Sequence, residues 1–142
     1  MDRKGVVAAL ETRLKDISTA NGYLTDAGLN IFVWKLTPFG NNQLPGVVIR
    51  DASESYIYED MPVNMKMCRL EIDIDIFAKS IDEVRDVASD VEKAIGVDET
   101  LSGAVEFINQ IETSIEAEQH DNVIAVAGMR IEANYLSERF RR

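Results

Sequence analysis

The sequence predicts an α+β fold: a mostly antiparallel β-sheet with two helices packed on one face, a two-layer sandwich with a long C-terminal β-hairpin. Three observations predict it. In residues 65–78, Cys68, Leu70, Ile72, Ile74, Ile76 and Ala78 alternate with Met67, Arg69, Glu71, Asp73, Asp75 and Phe77. A period of two means a strand with one dry and one wet face. In residues 81–96 the period changes, and Ile81, Val84, Val87, Ala88, Val91, Ala94 and Ile95 recur at three and four. That is one apolar stripe of a helix, which should lie back on the dry face of the strand. Finally, residues 105–117 and 123–136 alternate around a polar turn at 119–122, the pattern of two long antiparallel strands.

The earlier elements follow in order. Residues 3–18 place Val6, Val7, Leu10, Leu14 and Ile17 at helical spacing among charged neighbours, and Asn21-Gly22 closes that helix. Residues 30–36, NIFVWKL, are rich in β-branched and aromatic types and read as a strand. Residues 37–46, TPFGNNQLPG, form a loop, because Pro fixes φ while Gly and Asn accept left-handed turns. A short strand, GVVIR, spans 46–50. In residues 51–64, Tyr56, Ile57 and Tyr58 could extend a strand, but Pro62 and several acids argue for a mobile or edge segment, read as an excursion between two strands. Ser80 with Glu83 forms a capping box at the start of the second helix, and Gly96 sits where a left-handed cap would end it.

On the hairpin, Val105, Phe107, Ile111, Thr113, Ile115 and Ala117 are expected on one face, against Glu106, Ile108, Gln110, Glu112, Ser114 and Glu116 on the other. The second strand carries apolar residues on both faces near 123–129, with Ile124 and Val126 beside Val123 and Ala125. Strands of about 13 residues extend roughly 40 Å, about twice the usual length. Two helices cannot shield such a sheet, so a neighbouring subunit is expected to cover what they leave.

The totals bound the function. The 142 residues suit a single domain, 1–142, with a core of its own. The net charge of -10 repels phosphates and argues against binding nucleic acid through a basic face. The single cysteine, Cys68, lies on the dry strand face and reads as a small core residue in a reducing compartment. No apolar run approaches the length of a membrane span or a secretory leader, so a chain made and folded in a cytoplasm is expected.

No catalytic, cofactor or metal constellation emerges. The single histidine, His120, sits in the hairpin turn with only Glu118 and Asp121 near it in sequence, and reads as a solvated turn residue. Glu71, Asp73 and Asp75 share a strand face and could hold a hard cation, but without the loop geometry of a dedicated site. A solvated or subunit-facing strand face is the plainer reading. Phosphate loops, nucleophile elbows and paired cysteines are absent from the sequence. The basic tail, 137–142, carries Arg139, Arg141 and Arg142, which suit acids on a neighbour better than phosphate.

The segments LPGVVIR (44–50), RLEIDIDIF (69–77), SIDEVRDVASDVEKAIG (80–96), DETLSG (98–103) and GMRIEANYL (128–136), behind an N-terminal helix, form a familiar order. In architecture and element order the chain resembles the tail terminator (tail completion, head–tail joining) proteins of long-tailed bacteriophages. The likeness spans nearly the whole chain, leaving 51–64 and the basic tail unmatched.

The resemblance implies a structural virion protein rather than an enzyme, assembled in the bacterial host cytoplasm as a hexameric ring at the head-proximal end of the tail. Its implied partners are further copies of itself, the tail tube protein and the head's connector, with DNA passing through the channel unbound and no membrane involved. On that reading Glu71, Asp73, Asp75, Glu106, Glu112 and Glu116 are candidates to line the channel or face a neighbouring subunit. Ile124, Val126, Arg139, Arg141 and Arg142 are candidates for the intersubunit surface. A plain solvent face is the rival for the acids, and a small oligomeric ligand-binding or regulatory α+β domain is the rival for the whole chain.

Overall fold

The structure is a computed structural model that describes residues 2–120 and 123–140, with backbone only at 118–120, 123 and 124. Helix α1 (Arg3–Leu14) opens on Asp2, whose carboxylate accepts a hydrogen bond from the Gly5 N–H at 2.8 Å. It buries Val6, Val7, Leu10 and Leu14. The helix ends four residues before the sequence predicts, yet Ile17 is still fully buried in the turn that follows. Strand β1 (Ile31–Val33) is also shorter than 30–36. Trp34 takes a positive φ of 51°, which turns the chain out of line, and its indole N–H donates to Asp51 at 2.6 Å.

Strand β2 (Gly46–Ile57) corrects the reading of 51–64 as an excursion, since the strand continues through its first seven residues. A bulge between Asp51 and Ser53 breaks the alternation that would have announced it. On either side of the bulge, Asp51 and Glu54 pair with the dry positions Ile72 and Leu70 of strand β3 (Met65–Ala78). Both carboxylates are satisfied there: Asp51 by Arg3 and Trp34, Glu54 by the Tyr135 hydroxyl. A polar stretch can therefore run as strand at the sheet margin, because each inward carboxylate meets a donor.

Helix α2 (Ile81–Val97) starts as predicted. The Ser80 hydroxyl accepts from the Glu83 N–H, and the Glu83 carboxylate reaches back to the Lys79 N–H, each at 3.1 Å. Its end differs, because Gly96 lies inside the helix and Asp98 follows in an extended conformation. No left-handed cap is needed, since the Arg13 guanidinium donates to the Ala94 and Asp98 carbonyls at 3.3 and 3.2 Å. A cation from α1 thus meets the orphan acceptors and the negative end of the α2 dipole. The left-handed residues come later, at Leu101, Ser102 and Gly103.

Strands β4 (Phe107–His120) and β5 (Val123–Glu138) complete the sheet, in the order β1-β2-β3-β5-β4. β1 runs parallel to β2, and the other pairs are antiparallel. β5 fills the place between β3 and β4, which α2 connects. The expected hairpin is present, although β4 continues through Gln119 and His120, which the sequence assigns to the turn. Asp121 and Asn122, the rest of that turn, lie outside the described residues.

The α+β class is thus the one the sequence predicts. Both helices pack on the face formed by Cys68, Leu70, Ile72, Ile74 and Ile76 of β3 and by Ala127, Met129, Ile131, Ala133 and Tyr135 of β5, all buried in one core. One buried charge anchors this layer from outside the sheet. Asp90 of α2 is buried, and its carboxylate accepts from the Leu24 and Thr25 N–H groups, both at 2.9 Å, and from the Thr25 hydroxyl at 2.7 Å.

Candidate assembly surface

The sheet face away from the helices carries alternating charge along its middle. Asp73 and Arg130 stand opposite each other on β3 and β5, and Arg130 is in turn opposite Glu112 on β4. The Arg130 Nε donates to Asp73 at 2.9 Å, while the Arg50 Nε donates to Asp75 at 2.6 Å and its second nitrogen lies 3.6 Å from Asp73. Each guanidinium is held more firmly protonated by its carboxylate, Arg50 chiefly by the hydrogen bond to Asp75 and Arg130 by that to Asp73. Glu71 accepts from the Ser53 hydroxyl at 3.2 Å. Between these groups lies an open hollow of about 200 Å³, floored at Gly128, where a side chain is missing from the face.

The six proposed acids therefore divide. Glu71, Asp73 and Asp75 are only half-exposed, and the two aspartates are neutralised by arginines that sequence spacing could not place beside them. A cation site on Asp73 and Asp75 would have to displace those guanidiniums. Among the described residues no group of three or more His, Cys, Asp or Glu side chains is placed to hold a metal ion. Glu112 and Glu116 lie farther out on β4 and are exposed. Glu106 is exposed too, one residue ahead of the strand.

The apolar part of this face is not bare. Phe32, Phe39, Leu44, Val48, Phe77 and Val126 form a second, smaller cluster. The loop of residues 34–45 folds over the sheet to build it, with the Phe39 ring edge-on to Phe32 at 5.6 Å and tilted against Phe77 at 4.8 Å between centroids. Gly46 permits this return, because a Cβ there would collide with the Phe39 ring and the Gln43 carbonyl. The expectation of uncovered apolar surface near 123–129 is corrected here. Ala125, Ala127 and Met129 are buried under the helices, and Val126 is half-buried against its own chain's loop. The side chain of Ile124 lies outside what the structure describes, as do Arg141 and Arg142. Arg139 is engaged within the chain: its guanidinium stacks over Tyr58 at 4.9 Å, and its backbone N–H donates to Asn64.

On the hairpin, uncovered apolar surface lies on β4 instead. A bulge between Gln110 and Glu112 splits the single apolar face expected of this strand. Phe107 pairs with Asn134 and falls on the charged face, whereas Thr113, Ile115 and Ala117 pair with Met129, Ala127 and Ala125 on the helix side. Ile108, expected among the polar residues, enters the core. Neither helix reaches the outer half of the strand, so Ile111 and Ile115 are 53% and 40% exposed. β4 is also an edge, and its outer backbone groups have no strand partner among the described residues. This edge of 14 residues has no Pro, Lys or Arg, and the exposed Glu112 and Glu116 and the bulge after Gln110 are what discourage indiscriminate pairing. Alternation in the sequence showed the apolar residues, but only the topology shows that they stand at an edge.

Compared with known proteins, the sequence matches no family model and no curated protein.

Proposed function

We propose that the chain is a structural ring subunit of a phage tail, a tail terminator that caps the tail tube, stops its polymerisation and offers a surface to the head's connector. The single observation that carries the reading is β4: a long, acidic, unpaired edge strand with Ile111 and Ile115 exposed on it. Such a strand is a liability in a monomer and an asset in an assembly that closes on itself, because a closed ring leaves no free edge. The resemblance of the element order to that of tail terminators suggests the kind of assembly. Hexameric closure, contact with the tube and connector, and location in the virion come with that likeness.

The charged face supports a lumen in modified form. Asp73 and Asp75 are already paired with arginines, so the negative wall that lets DNA slide would rest on Glu112 and Glu116. The ligand-binding alternative is disfavoured by the same pairing, since the hollow beside Arg130 spends its charges on one another.

The test has two parts. Light scattering and negative-stain imaging of the purified chain, alone and with tail tubes, should give rings of six; a compact dimer in both conditions rejects the ring. Neutralising both acids (Glu112→Gln with Glu116→Gln) should leave assembly intact and slow DNA passage, and unchanged infectivity rejects the lumen assignment.

A further inference from the structure

The two edges of the sheet differ in charge: β4 is acidic, whereas β1 is uncharged and followed by Lys35, which lies over the Phe32 and Phe39 rings. No Lys or Arg occurs between Lys93 and Arg130, a stretch that contains all of β4 together with Glu112 and Glu116. No Asp or Glu occurs between Asp26 and Asp51, a stretch that contains all of β1 together with Lys35. In a chain of net charge -10 this acid-free stretch is an exception, although the same edge continues along β2 with Asp51 and Glu54. Both edges are also apolar. Around β1, Leu29 and Leu36 are 83% and 92% exposed and Val33 is partly so. Val33 pairs with Ile49, a helix-side position, and Ile115 pairs with Ala127, also on the helix side. Val33 and Ile115 therefore lie on the same side of the sheet.

Strand direction fits as well. β4 is antiparallel to β5, β5 to β3 and β3 to β2, while β1 is parallel to β2. Hence β4 runs opposite to β1. A second copy set beside the first with its strands in the same sense would meet β1 with β4 as an antiparallel pair. Self-pairing of β4 is disfavoured by contrast. Two β4 strands crossing antiparallel at Ser114 would set Glu112 of each against Glu116 of the other, and like charges opposite each other destabilise a sheet.

We propose that copies of this chain associate head to tail, the β4 edge of one against the β1 edge of the next. This names the interface for the self-assembly half of the reading above and does not depend on the phage half. A heterologous contact of this kind closes into a ring or extends into a filament according to its rotation.

The test uses the full chain with its buried Cys68 in place. Val33→Cys and Ile115→Cys are made separately, and each is treated with a short bismaleimide alone and after mixing. The head-to-tail contact gives adducts only in the mixture. Adducts within Ile115→Cys alone overturn the proposal in favour of β4 self-pairing, and no adduct in any sample overturns it outright. Should Val33→Cys fold poorly, Leu36→Cys replaces it. Raising the salt to about 1 M, where the Debye length is about 3 Å, should cut the mixed yield severalfold. The double variant separates this proposal from the ring. An adduct ladder that stops at one size supports both; an endless ladder keeps the edge contact and rejects ring closure. Rings of the unmodified chain without mixed adducts keep the ring and reject the edge contact.

Discussion

Arg130 and Asp73 face each other across β5 and β3 and join at 2.9 Å, and the same aspartate lies within 3.6 Å of Arg50. One carboxylate thus sits between two guanidiniums from the strands on either side of its own. The pairing reduces the negative character of a strand face that carries Glu71, Asp73 and Asp75. It also ties β2, β3 and β5 together across the middle of the charged face.

Removing Asp73 should therefore cost more than removing either arginine. Arg130 is exposed, and Arg130→Ala should lower stability only slightly, as for surface pairs generally. Asp73→Ala leaves Arg130 unpaired and takes one of two acids from Arg50, so about 1–2 kcal/mol is expected from the lost charge-assisted hydrogen bond. Urea midpoints at constant m-value measure both. Equal losses would mean that the two guanidiniums do not share the aspartate.

Asp90 makes a sharper demand. Its carboxylate is buried and is the acceptor for two backbone N–H groups and one hydroxyl in the turn before β1. Asp90→Ala strands those donors beside the core, and a loss of about 2–4 kcal/mol is expected, since each buried unpaired polar group costs about 1–3 kcal/mol. Hydrogen exchange at Leu24 and Thr25 should accelerate beyond what the global loss explains. Uniform acceleration across the chain would show that Asp90 does not pin this turn.

Asp51 predicts an acid sensitivity. Burial raises its carboxyl pKa, but the hydrogen bonds from Trp34 and Arg3 outweigh burial and hold it below the ordinary 3.8. A depressed carboxyl gives stability that is full above the unfolded value and is lost as pH falls through the folded one. The wild-type advantage over Asp51→Asn should thus be constant from neutral pH to about 5 and shrink steadily below about 4. An advantage that persists unchanged to pH 2 would remove the ionised carboxylate from the account.

The sequence made the central elements legible because their periods are unbroken. In β3 every second residue from Cys68 to Ala78 enters the core, and in α2 the stripe from Val84 to Ile95 does. It misled wherever a bulge intervened. Asp51 and Glu54 look like loop residues until Arg3, Trp34 and Tyr135 are seen to satisfy them. The residue added at Ile111 in β4 sends Phe107 and Ile115 to opposite faces, although the sequence sets them on one. The six acids were visible, but Arg50 and Arg130 reach Asp73 from neighbouring strands, and only strand order brings them there. Edge position, on which the assembly surface depends, is a property of the whole sheet and has no local signal.

The loop over the charged face provides the last prediction. Phe39 is buried between Phe32 and Phe77, and Gly46 lies beneath its ring. Phe39→Ala should cost about 2–3 kcal/mol, below the usual 3–5 kcal/mol for a core phenylalanine because the cluster is small and lies at the margin. Gly46→Ala alone forces its new methyl into the Phe39 ring and the Gln43 carbonyl. With the ring removed, half of that conflict disappears, whereas the clash with the carbonyl stays. The double variant should therefore be more stable than the sum of the single losses predicts, by at least about 1 kcal/mol, well outside the 0.3–0.5 kcal/mol within which independent sites add. Denaturant midpoints of the four proteins complete the cycle. Additive losses would mean that the ring does not rest on Gly46, and that Val126 lies open to a neighbour after all.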